Sequence, residues 1–482
     1  MSKLYVFGIG GTGSRVLKSL TMLMAAGMKV NADEVVPIII DPDLAAADLT
    51  RTVKLMQDYV KVRSRINVNT SSSNCFFNTP INMDIVPSGR IPVENTKDIS
   101  FKEYIGLSLM KRDGKENPNF ALASMLFSEK NLESKMDVGF KGNPNIGSVV
   151  LNQFSFSEEY NAFASSVKKD DRVFIVSSIF GGTGASGFPL LAKEIRKVKE
   201  KGENELLRNV PIGAVTVLPY FDVKNDENSE IDSTTFISKS KAALSYYDVN
   251  LTEVNSLYYI ADKKTKAYEN SEGGATQRNA AHFVELAAAL AIIDFAAQSD
   301  DSFSTENGLV SNPTYKEFGV KKDSEQIIFN DLSAVTNQMI KKPLTQFLLF
   351  CKYLDEQFKD SYRIQPWAKA HEIDDTFIRQ QYFQSDLTGI KNAYLEWLGE
   401  MAANNRSFSP YDLSEKKNDL FAMIEGEKPA KVASLKSNYA LFDHKLNILQ
   451  SGIKNNNSKE LNYFLELFYK GTEELVKAKF RI

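Results

Sequence analysis

The stretch that decides the fold is SIFGGTGASGFP, residues 178–189. It lies between an apolar run that is typical of a buried strand and a segment that is typical of a helix. A glycine-rich turn of this kind exposes main-chain N–H groups at the positive end of the helix dipole, and it lets an anion approach closely because glycine has no side chain. A second such turn lies in VFGIGGTGSRVLKSL, residues 6–20. The two turns would hold opposite sides of one phosphate chain.

A single glycine turn leaves other interpretations open. Gly8, Gly10 and Gly13 fit the dinucleotide pattern G-x-G-x-x-G, and Asp41 ends the next strand, where a dinucleotide enzyme keeps its ribose-binding acid. A tight turn can also require glycine without any ligand. Neither turn is followed by the Lys-Ser or Lys-Thr of a P-loop, so phosphate charge would be neutralised by main-chain amides, two helix ends and a metal ion. Two turns favour a nucleoside triphosphate, which carries more charge than one pyrophosphate.

Strand and helix patterns alternate along the first part of the chain. The runs KLYVFGIG, VVPIII, DRVFIVSSI, VPIGAVTVLPYF and VNSLYYIAD are separated without hairpin turns, which predicts a parallel sheet. The stretch ATQRNAAHFVELAAALAIIDFAAQ is apolar on nearly all sides, as expected of a central helix. We therefore predict an α/β nucleotide-binding domain at 1–298, with a turn-rich insertion at about 62–135.

The strand pattern disappears after about residue 300, and amphipathic helices follow. In FQSDLTGIKNAYLEWLGEM, aromatic and aliphatic residues repeat at helical spacing, a pattern that is typical of helix packing. Residues 299–482 are therefore predicted to form a mainly helical C-terminal domain. This domain is also the predicted place for a protein partner.

Composition excludes several classes of function. The net charge of −3 gives no general attraction for nucleic acid or an anionic membrane. Two cysteines exclude a disulfide framework, and no apolar run is long enough to cross a membrane, so we expect a cytoplasmic protein. The three histidines are scattered, so no metal site made of histidines is predicted.

Five stretches, taken in order, resemble the tubulin/FtsZ superfamily. FGIGGTGS resembles the first phosphate loop of that family, GFKGNPNIGS (139–148) the loop that closes over the γ-phosphate, and FGGTG the main phosphate loop. VLPYFDV (217–223) is similar to the sugar-side loop. QRNAAHFVEL (277–286) falls where the family's central helix begins and reads guanine. The resemblance covers residues 1–298 and implies a GTPase-type sheet domain with that central helix.

The resemblance also implies a role for each matching residue. Contacts with the α- and β-phosphates are expected from Gly10, Gly11, Thr12 and Gly13. The main phosphate loop would consist of Gly181, Gly182, Thr183 and Gly184. The γ-phosphate would lie near Gly142 and Asn143, the phosphates or metal near Asp41, the ribose near Asp222, and the base edge near Asn279. Two alternatives remain open: Asn279 could instead cap the helix, and Asp41-Pro42-Asp43 could be an ordinary strand-end turn.

The chain departs from the family pattern at several positions. Arg15 stands where FtsZ carries an Asn, which predicts an ionic phosphate contact. Ala261 stands where the family has an Asn, so Asn279 would carry most of the base discrimination. In the family, an acid after the central helix enters the next subunit's site and activates water. Asp300 and Asp301 follow the helix here, with a solvated loop as the alternative interpretation. Helices replace the family's second domain.

The sequence thus predicts a prokaryotic, cytoskeleton-type GTP-binding protein. It would bind GTP or GDP with Mg²⁺, hydrolyse GTP slowly, and assemble with itself under nucleotide control. The first alternative is a scaffold or switch that binds nucleotide without hydrolysing it and contacts a partner through its helical domain. The second is a dinucleotide-dependent oxidoreductase, which leaves GFKGNPNIGS unexplained.

Overall fold

The structure is a computed structural model of the 482-residue chain. It describes residues 2–66, 75–112, 115–197, 204–224, 233–263, 267–268, 273–275, 278–318, 325–414, 420–430, 438–453 and 460–480.

The strands are β1 Lys3–Ile9, β2 Glu34–Ile40, β3 Arg90–Ile91, β4 Lys111–Arg112, β5 Lys115–Glu116, β6 Arg172–Ser178, β7 Ile212–Val217, β8 Asp222–Val223, β9 Ser256–Ile260, β10 Ala267–Tyr268, β11 Thr305–Glu306, β12 Leu309–Val310, β13 Thr314–Phe318, β14 Gln326–Ile327 and β15 Ser407–Phe408.

The α-helices are α1 Gly10–Ala25, α2 Ala47–Arg63, α3 Phe101–Tyr104, α4 Pro118–Leu126, α5 Glu129–Glu133, α6 Pro144–Val150, α7 Glu158–Ser166, α8 Gly182–Arg196, α9 Glu205–Asn209, α10 Phe236–Asn250, α11 Phe283–Ala297, α12 Ala334–Glu356, α13 Phe358–Ser361, α14 Pro366–Lys369, α15 Asp375–Arg379, α16 Thr388–Ala402, α17 Asn438–Leu449 and α18 Glu460–Phe480. A π-helical segment, Tyr382–Leu387, leads into α16.

A seven-stranded sheet with the order β13-β9-β7-β6-β1-β2-β3 forms the centre of the fold, and its neighbouring strands pair in parallel. The chain proceeds from β1 towards one edge and from β6 towards the other. In an open parallel sheet, the carboxyl ends of the strands at such a reversal border a crevice where ligands bind. Both glycine turns follow these two neighbouring strands, so the fold brings them together.

The central helix α11 is buried against α1 and the sheet strands β6, β7 and β9. It begins at Phe283, later than the Ala-rich stretch suggests, because His282 caps its N-terminus: the Val284 N–H donates to Nδ1 of His282 at 3.1 Å. Glu285 reciprocates by accepting from the His282 N–H at 3.2 Å. The predicted parallel α/β sheet with a central helix and a helical C-terminal region is confirmed.

Two strands of the seven-stranded sheet lie outside the predicted pattern. β13 joins the sheet beyond the predicted boundary at 298, so the expectation that strands end near residue 300 is wrong. β13 is a half-exposed edge strand with the polar sequence TYKEF, which has no buried-strand signature. From within the predicted insertion, β3 pairs with β2 at the other edge of the sheet. The predicted insertion therefore contributes one strand to the sheet.

The C-terminal helices pack directly on the sheet domain. Trp397 is fully buried and donates from Nε1 to Oγ of Ser19 in α1 at 3.2 Å. Phe347 in α12 packs edge-on against Phe76, with ring centroids 5.1 Å apart. The buried apolar residues form one continuous core that includes both parts of the chain. Within the described ranges, no helix combines the length and apolarity that crossing a membrane requires.

Candidate functional site

A cleft of about 250 Å³ lies at the carboxyl ends of β1 and β6. It is lined by Gly10, Gly11, Thr12, Arg15, Asp41, Asp43, Ala46, Asp48, Val138, Gly139, Phe140, Lys141, Gly142, Ser178, Phe180, Gly181, Gly182, Thr183, Gly184, Tyr220, Phe221, Val223, Tyr268, Asn279, Ala280 and His282. Of the sequence-predicted binding residues, Gly13, Asn143 and Asp222 each adjoin a lining residue, and the others line the cleft. The predicted motifs thus meet in one place.

The N-termini of α1 and α8 both open into this cleft. No described side chain caps either helix, and neither carries an acid in its first turn. The first N–H groups of a helix have no partner within the helix, and the dipole adds positive potential there. Two uncapped helix ends that face one cavity form a site for an anion with several oxygens.

Glycine is required in these turns for steric reasons. Gly10 has φ +69°, a conformation that other residues rarely adopt. A Cβ on Gly13 would lie 2.4 Å from the main-chain carbon of Gly8, and one on Gly184 would lie 2.7 Å from the Ser178 carbonyl oxygen. Gly11 differs from these, because a Cβ there would meet only Nη1 of Arg15, at 3.5 Å. The hydrogen of Gly11 therefore faces the open cleft.

The loop at residues 139–143 covers the N-terminus of α8. A Cβ on Gly182 would lie 3.0 Å from the Asn143 nitrogen and 3.2 Å from the Gly142 nitrogen, so the loop and helix touch main chain to main chain. Gly139 and Gly142 both have positive φ, at +95° and +74°. Lys239 Nζ lies 3.2 Å from the position of a Cβ on Gly142. This end of the cleft thus combines glycine main chain with the cations Lys141 and Lys239.

A buried ion cluster forms the opposite end. Arg15 donates from Nε to Oε1 of Glu285 at 2.5 Å, from Nη1 to Oδ2 of Asp48 at 3.4 Å, and from Nη2 to the hydroxyl of Tyr220 at 3.1 Å. Burial opposes the charge of Arg15, but Tyr220, Glu285 and Asp48 raise its pKa well above the ordinary value. The guanidinium that was predicted to meet a phosphate is thus held by two carboxylates, and Arg15 lines the cleft as part of that cluster.

Asn279 lies in the cleft and does not cap the central helix, so the cap alternative is wrong. Its Nδ2 donates to Oδ2 of Asp48 at 2.8 Å. Among the described residues, none donates a hydrogen bond to its amide oxygen Oδ1. The true cap, His282, is buried, and this burial lowers its pKa to about 4. Since Nδ1 of the neutral ring accepts from Val284, the proton of His282 resides on Nε2.

Aromatic side chains form one wall of the cleft. Tyr220 packs at a tilt against His282, with ring centroids 4.7 Å apart and an interplanar angle of 51°, and Phe221 packs edge-on against Tyr268 at 5.7 Å. Phe221 and Tyr268 are half-buried, so ring surface remains accessible from the cleft. Asp222 lies on the same short strand, β8, which pairs with β10. A flat aromatic ligand could stack on this wall.

Two carboxylates follow β2 and face the glycine turns. The Asp43 N–H donates to Oδ1 of Asp41 at 3.1 Å, and the Gly274 N–H donates to Oδ2 of Asp43 at 2.7 Å. Burial raises the pKa of Asp41 to about 7, and the hydrogen bond from the Asp43 N–H only partly opposes this increase. The strand-end turn is thus present, and it also places a buried carboxylate in the cleft.

Replacement of Asp41 with Asn should stabilise the nucleotide-free protein more at pH 8 than at pH 5. A raised carboxyl pKa contributes stability below the unfolded value of 3.8, and this stability is lost as pH rises through about 7. Asn keeps the acceptor and cannot ionise. The difference in the free energy of unfolding between Asp41→Asn and wild type should increase by about 2–3 kcal/mol from pH 5 to pH 8. Thermal unfolding of wild type, Asp41→Asn and the exposed control Asp84→Asn measures it, and an advantage equal at both pH values would contradict it.

The two predicted catalytic acids lie at the amino ends of the sheet strands, whereas the cleft lies at their carboxyl ends. Asp300 accepts from Nη2 of Arg172 at 2.6 Å, and Arg172 is the first residue of β6. The glycine turn at 181–184 follows the last residue of the same strand, so about 20 Å of strand, at roughly 3.3 Å per residue, separates it from Arg172. Asp301 is exposed. Neither acid can therefore reach the cleft of its own chain.

Several residues of the cleft escaped the sequence interpretation. Asp48, Lys239 and Tyr268 lie outside the quoted stretches. Lys141, Tyr220 and His282 lie within them but have no predicted role. Only His282 could have been found, since a His three residues before a Glu at the start of an apolar helix forms a capping box here. The others depend on tertiary contacts.

Comparison with known proteins gives a distant structural similarity. No protein-family model matches the chain, and no curated protein matches it. CetZ1 from Haloferax volcanii, a GDP-bound monomer, aligns over 54% of this chain and 51% of its own at 16% identity, with a TM-score of 0.27. CetZ2 from the same organism, a GTPγS-bound protofilament, aligns over 63% and 61% at 13% identity, with a TM-score of 0.30. The chain thus spans only 51% and 61% of the length of these two structures.

Proposed function

We propose that the chain is a tubulin/FtsZ-like protein that binds a guanine nucleoside triphosphate in this cleft. The observation that carries the proposal is the meeting of two uncapped helix N-termini, α1 and α8, under a glycine loop that touches the second of them. A triphosphate needs donors along its whole length, and these two turns and the loop provide main-chain donors from three directions. Lys141 and Lys239 supply positive charge where the terminal phosphate would lie.

The base would lie at the Asn279 end of the cleft. Because Asp48 holds Nδ2 of Asn279, the amide presents Oδ1, an acceptor, to the ligand. Guanine offers its N1–H and N2–H₂ groups as donors to such an acceptor. The half-buried rings of Phe221 and Tyr268 provide a surface for stacking.

A magnesium ion fits the carboxylate at the phosphate end. Mg²⁺ in nucleotide sites is commonly held by one or two carboxylates together with phosphate oxygens and water. Asp41 is a buried carboxylate that lines the cleft, and its burial raises its pKa to about 7. Within the described ranges, no cluster of three His, Cys, Asp or Glu side chains forms a metal site by itself. Asp41 would thus hold the ion jointly with the phosphates, and the ion would neutralise phosphate charge.

Hydrolysis would require two chains, and nucleotide-controlled self-assembly is part of the proposal. Asp300 and Asp301 lie at the amino ends of the strands, and the cleft lies at the carboxyl ends. A head-to-tail arrangement of two chains could therefore bring these acids to the terminal phosphate in a neighbour's cleft. Head-to-tail contacts of this kind generate filaments or rings. The alternative, a switch that binds nucleotide without hydrolysing it, shares the cleft and omits this step.

The first experiment identifies the ligand. The purified protein is denatured and any released nucleotide is identified, and titrations with GTP, ATP and NADH follow. Binding of GTP in preference to the other two supports the proposal. A preference for ATP would contradict the guanine assignment, and a preference for NADH would favour the dinucleotide alternative.

Replacement of Asn279 with Ala should abolish the preference for GTP over ATP. One lost hydrogen bond to a base costs about 0.5–1.5 kcal/mol, which corresponds to a change of up to about tenfold in the affinity ratio. Affinity for inorganic triphosphate should stay within twofold, because that ligand has no base for Asn279 to contact. Isothermal titration of wild type, Asn279→Ala and the exposed control Asn250→Ala measures the ratio. An unchanged GTP:ATP ratio in Asn279→Ala would remove this residue from base recognition.

A further inference from the structure

The base end of the cleft is bound to the helical C-terminal region by a continuous set of hydrogen bonds. The residues 278–281 precede the central helix and contain Asn279 and Ala280, which line the cleft. On the other side of this segment lie α2 and α16. α16 belongs to the C-terminal region, so a part of the chain far from the glycine turns in sequence reaches the back of the site.

The main chain of the segment is held on that side at two residues. The Ala281 N–H donates to Oε2 of Glu400 at 3.0 Å, and the Ala281 carbonyl accepts from Nδ2 of Asn404 at 2.7 Å. The Asn279 carbonyl accepts from Nη2 of Arg51 at 3.0 Å. Ala280, between them, faces the cleft. These contacts determine where the base-facing residues lie.

Glu400 is the residue that joins these contacts. Its Oε1 accepts from Nη1 of Arg51 at 2.8 Å, and its Oε2 accepts from Nζ of Lys18 at 3.1 Å as well as from Ala281. Only 14% of its side chain is exposed. Burial opposes ionisation, but Lys18 and Arg51 hold the pKa of Glu400 below its ordinary value. The carboxylate is therefore charged and accepts from three donors at once.

The network continues from Glu400 to the ligand-facing groups. Arg51 also donates from Nη2 to Oδ1 of Asp48 at 2.9 Å, and Asp48 fixes the amide of Asn279. On the other branch, the hydroxyl of Tyr268, a residue of the aromatic wall, donates to Oδ1 of Asn404 at 2.7 Å. Both proposed base contacts, the Asn279 amide and the aromatic wall, are thus connected to α16 or to the turn that directly follows it.

We infer that Glu400 and Asn404 are positioning residues for base recognition, so that the helical C-terminal region forms part of the nucleotide site. This inference rests on the proposed function, because it assigns these residues to the base of a nucleotide bound in that cleft. Neither residue lines the cleft. Their effect on the base would pass through residues 278–281 and Tyr268, whereas the glycine turns and the loop at 139–143 would bind phosphate without them.

The test separates the base from the phosphates. Glu400→Gln keeps the size of the side chain and removes the charge that balances Lys18 and Arg51. We expect its Kd for GTP to rise at least tenfold and its GTP:ATP preference to fall, while its Kd for inorganic triphosphate changes by less than twofold. Isothermal titration with the three ligands gives these values. A general loss of stability would weaken all three together.

The matched control is Glu396→Gln on the same helix. Glu396 pairs with Arg278 and lies 3.6 Å from Nη1 of Arg51, and the structure gives it no hydrogen bond to the main chain of Asn279 or Ala281. The ratio of GTP affinity to ATP affinity in Glu396→Gln should stay within twofold of the wild-type ratio. If Glu396→Gln and Glu400→Gln change the ratio equally, charge on this face of α16 is sufficient and the positioning role is overturned.

Hydrogen exchange of the wild-type protein tests the same inference without a variant. GTP should slow amide exchange in 278–281 and in the part of α16 around Glu400, whereas inorganic triphosphate should slow it only at the glycine turns and the loop at 139–143. Equal protection by both ligands, or none in α16, would overturn the inference and leave nucleotide binding intact. A wild type that binds neither GTP nor ATP would overturn both the inference and the proposed function.

Discussion

The double variant Asp300→Ala/Asp301→Ala should lose at least a hundredfold in GTP turnover while its affinity for GTP stays within twofold of wild type. Loss of a group that activates water typically costs a hundredfold or more. Binding should survive because both acids lie at the amino-terminal edge of the sheet, on the side opposite the cleft. Phosphate release at several protein concentrations, with light scattering in parallel, measures turnover and assembly together.

The single variants assign the effect to one acid. Asp300 is held by Arg172, which also donates from Nη1 to the carbonyl oxygens of Phe295 and Ala296 at the end of the central helix. Asp301 is exposed and pairs with no described residue. We therefore expect Asp301→Ala to reproduce most of the loss and Asp300→Ala to cost less than tenfold.

Concentration dependence distinguishes the shared site from its alternatives. Because one chain would complete the site of another, specific activity in the wild type should climb with protein concentration. Activity that is independent of concentration and unchanged in the double variant would refute the shared site. A wild type that binds GTP with no turnover at any concentration would favour the non-hydrolysing switch.

Replacement of Gly11 with Val should weaken GTP binding at least a hundredfold without unfolding the protein. A Cβ at this position would meet only the end of the flexible Arg15 side chain among the described residues, at 3.5 Å, so we expect the protein to fold with a side chain here. It would instead fill the space beside the α1 N-terminus and block the N–H groups there. Hydrogen bonds to charged groups contribute about 1.5–3 kcal/mol each, so the loss of two corresponds to a hundredfold or more.

Controls for this variant come from other glycines. Gly452→Val places a Cβ where no atom of the described residues lies within 4 Å, outside the cleft, and should bind GTP as the wild type does. Gly182→Ala is unsuitable, because its Cβ would lie 2.9 Å from Cβ of Phe140 and displace the loop. Titration with GTP and inorganic triphosphate, together with circular dichroism, measures the effect. A folded Gly11→Val protein with wild-type affinity for both ligands would show that the α1 turn does not bind phosphate.

The positions of the glycine turns could be predicted because their signal is local. A glycine-rich link from an apolar strand to a helix requires only neighbouring residues, and strands joined by helices predict parallel pairing. The meeting of Gly10 with Thr183, whose Cβ lies 3.5 Å from a Cβ built on Gly10, followed from that pairing. The start of the central helix was predicted less accurately, because His282 is an uncommon cap.

The environment of Arg15 could not be predicted from sequence. Its partners Asp48 and Glu285 are 33 and 270 residues away and belong to other helices. A motif gives the position of a side chain along one helix, but the charges that face it depend on how the helices pack. The same reason applies to Glu400, which is 382 residues from its partner Lys18.

The pairing of β1 with β6 also determines when during synthesis the site can form. Lys3 at the start of β1 donates its N–H to Asp171, 168 residues later, so a nascent chain that ends before β6 has only one of the two glycine turns. Contacts of such sequence separation form late in folding, because loop closure must precede them. The ribosome must then add α16 before Ala281 meets Glu400. Both glycine turns are therefore present once α8 has been made, whereas the base end of the cleft would be complete only after translation has passed residue 400. A nucleotide would then stabilise nearly full-length chains more than shorter ones, by mass action.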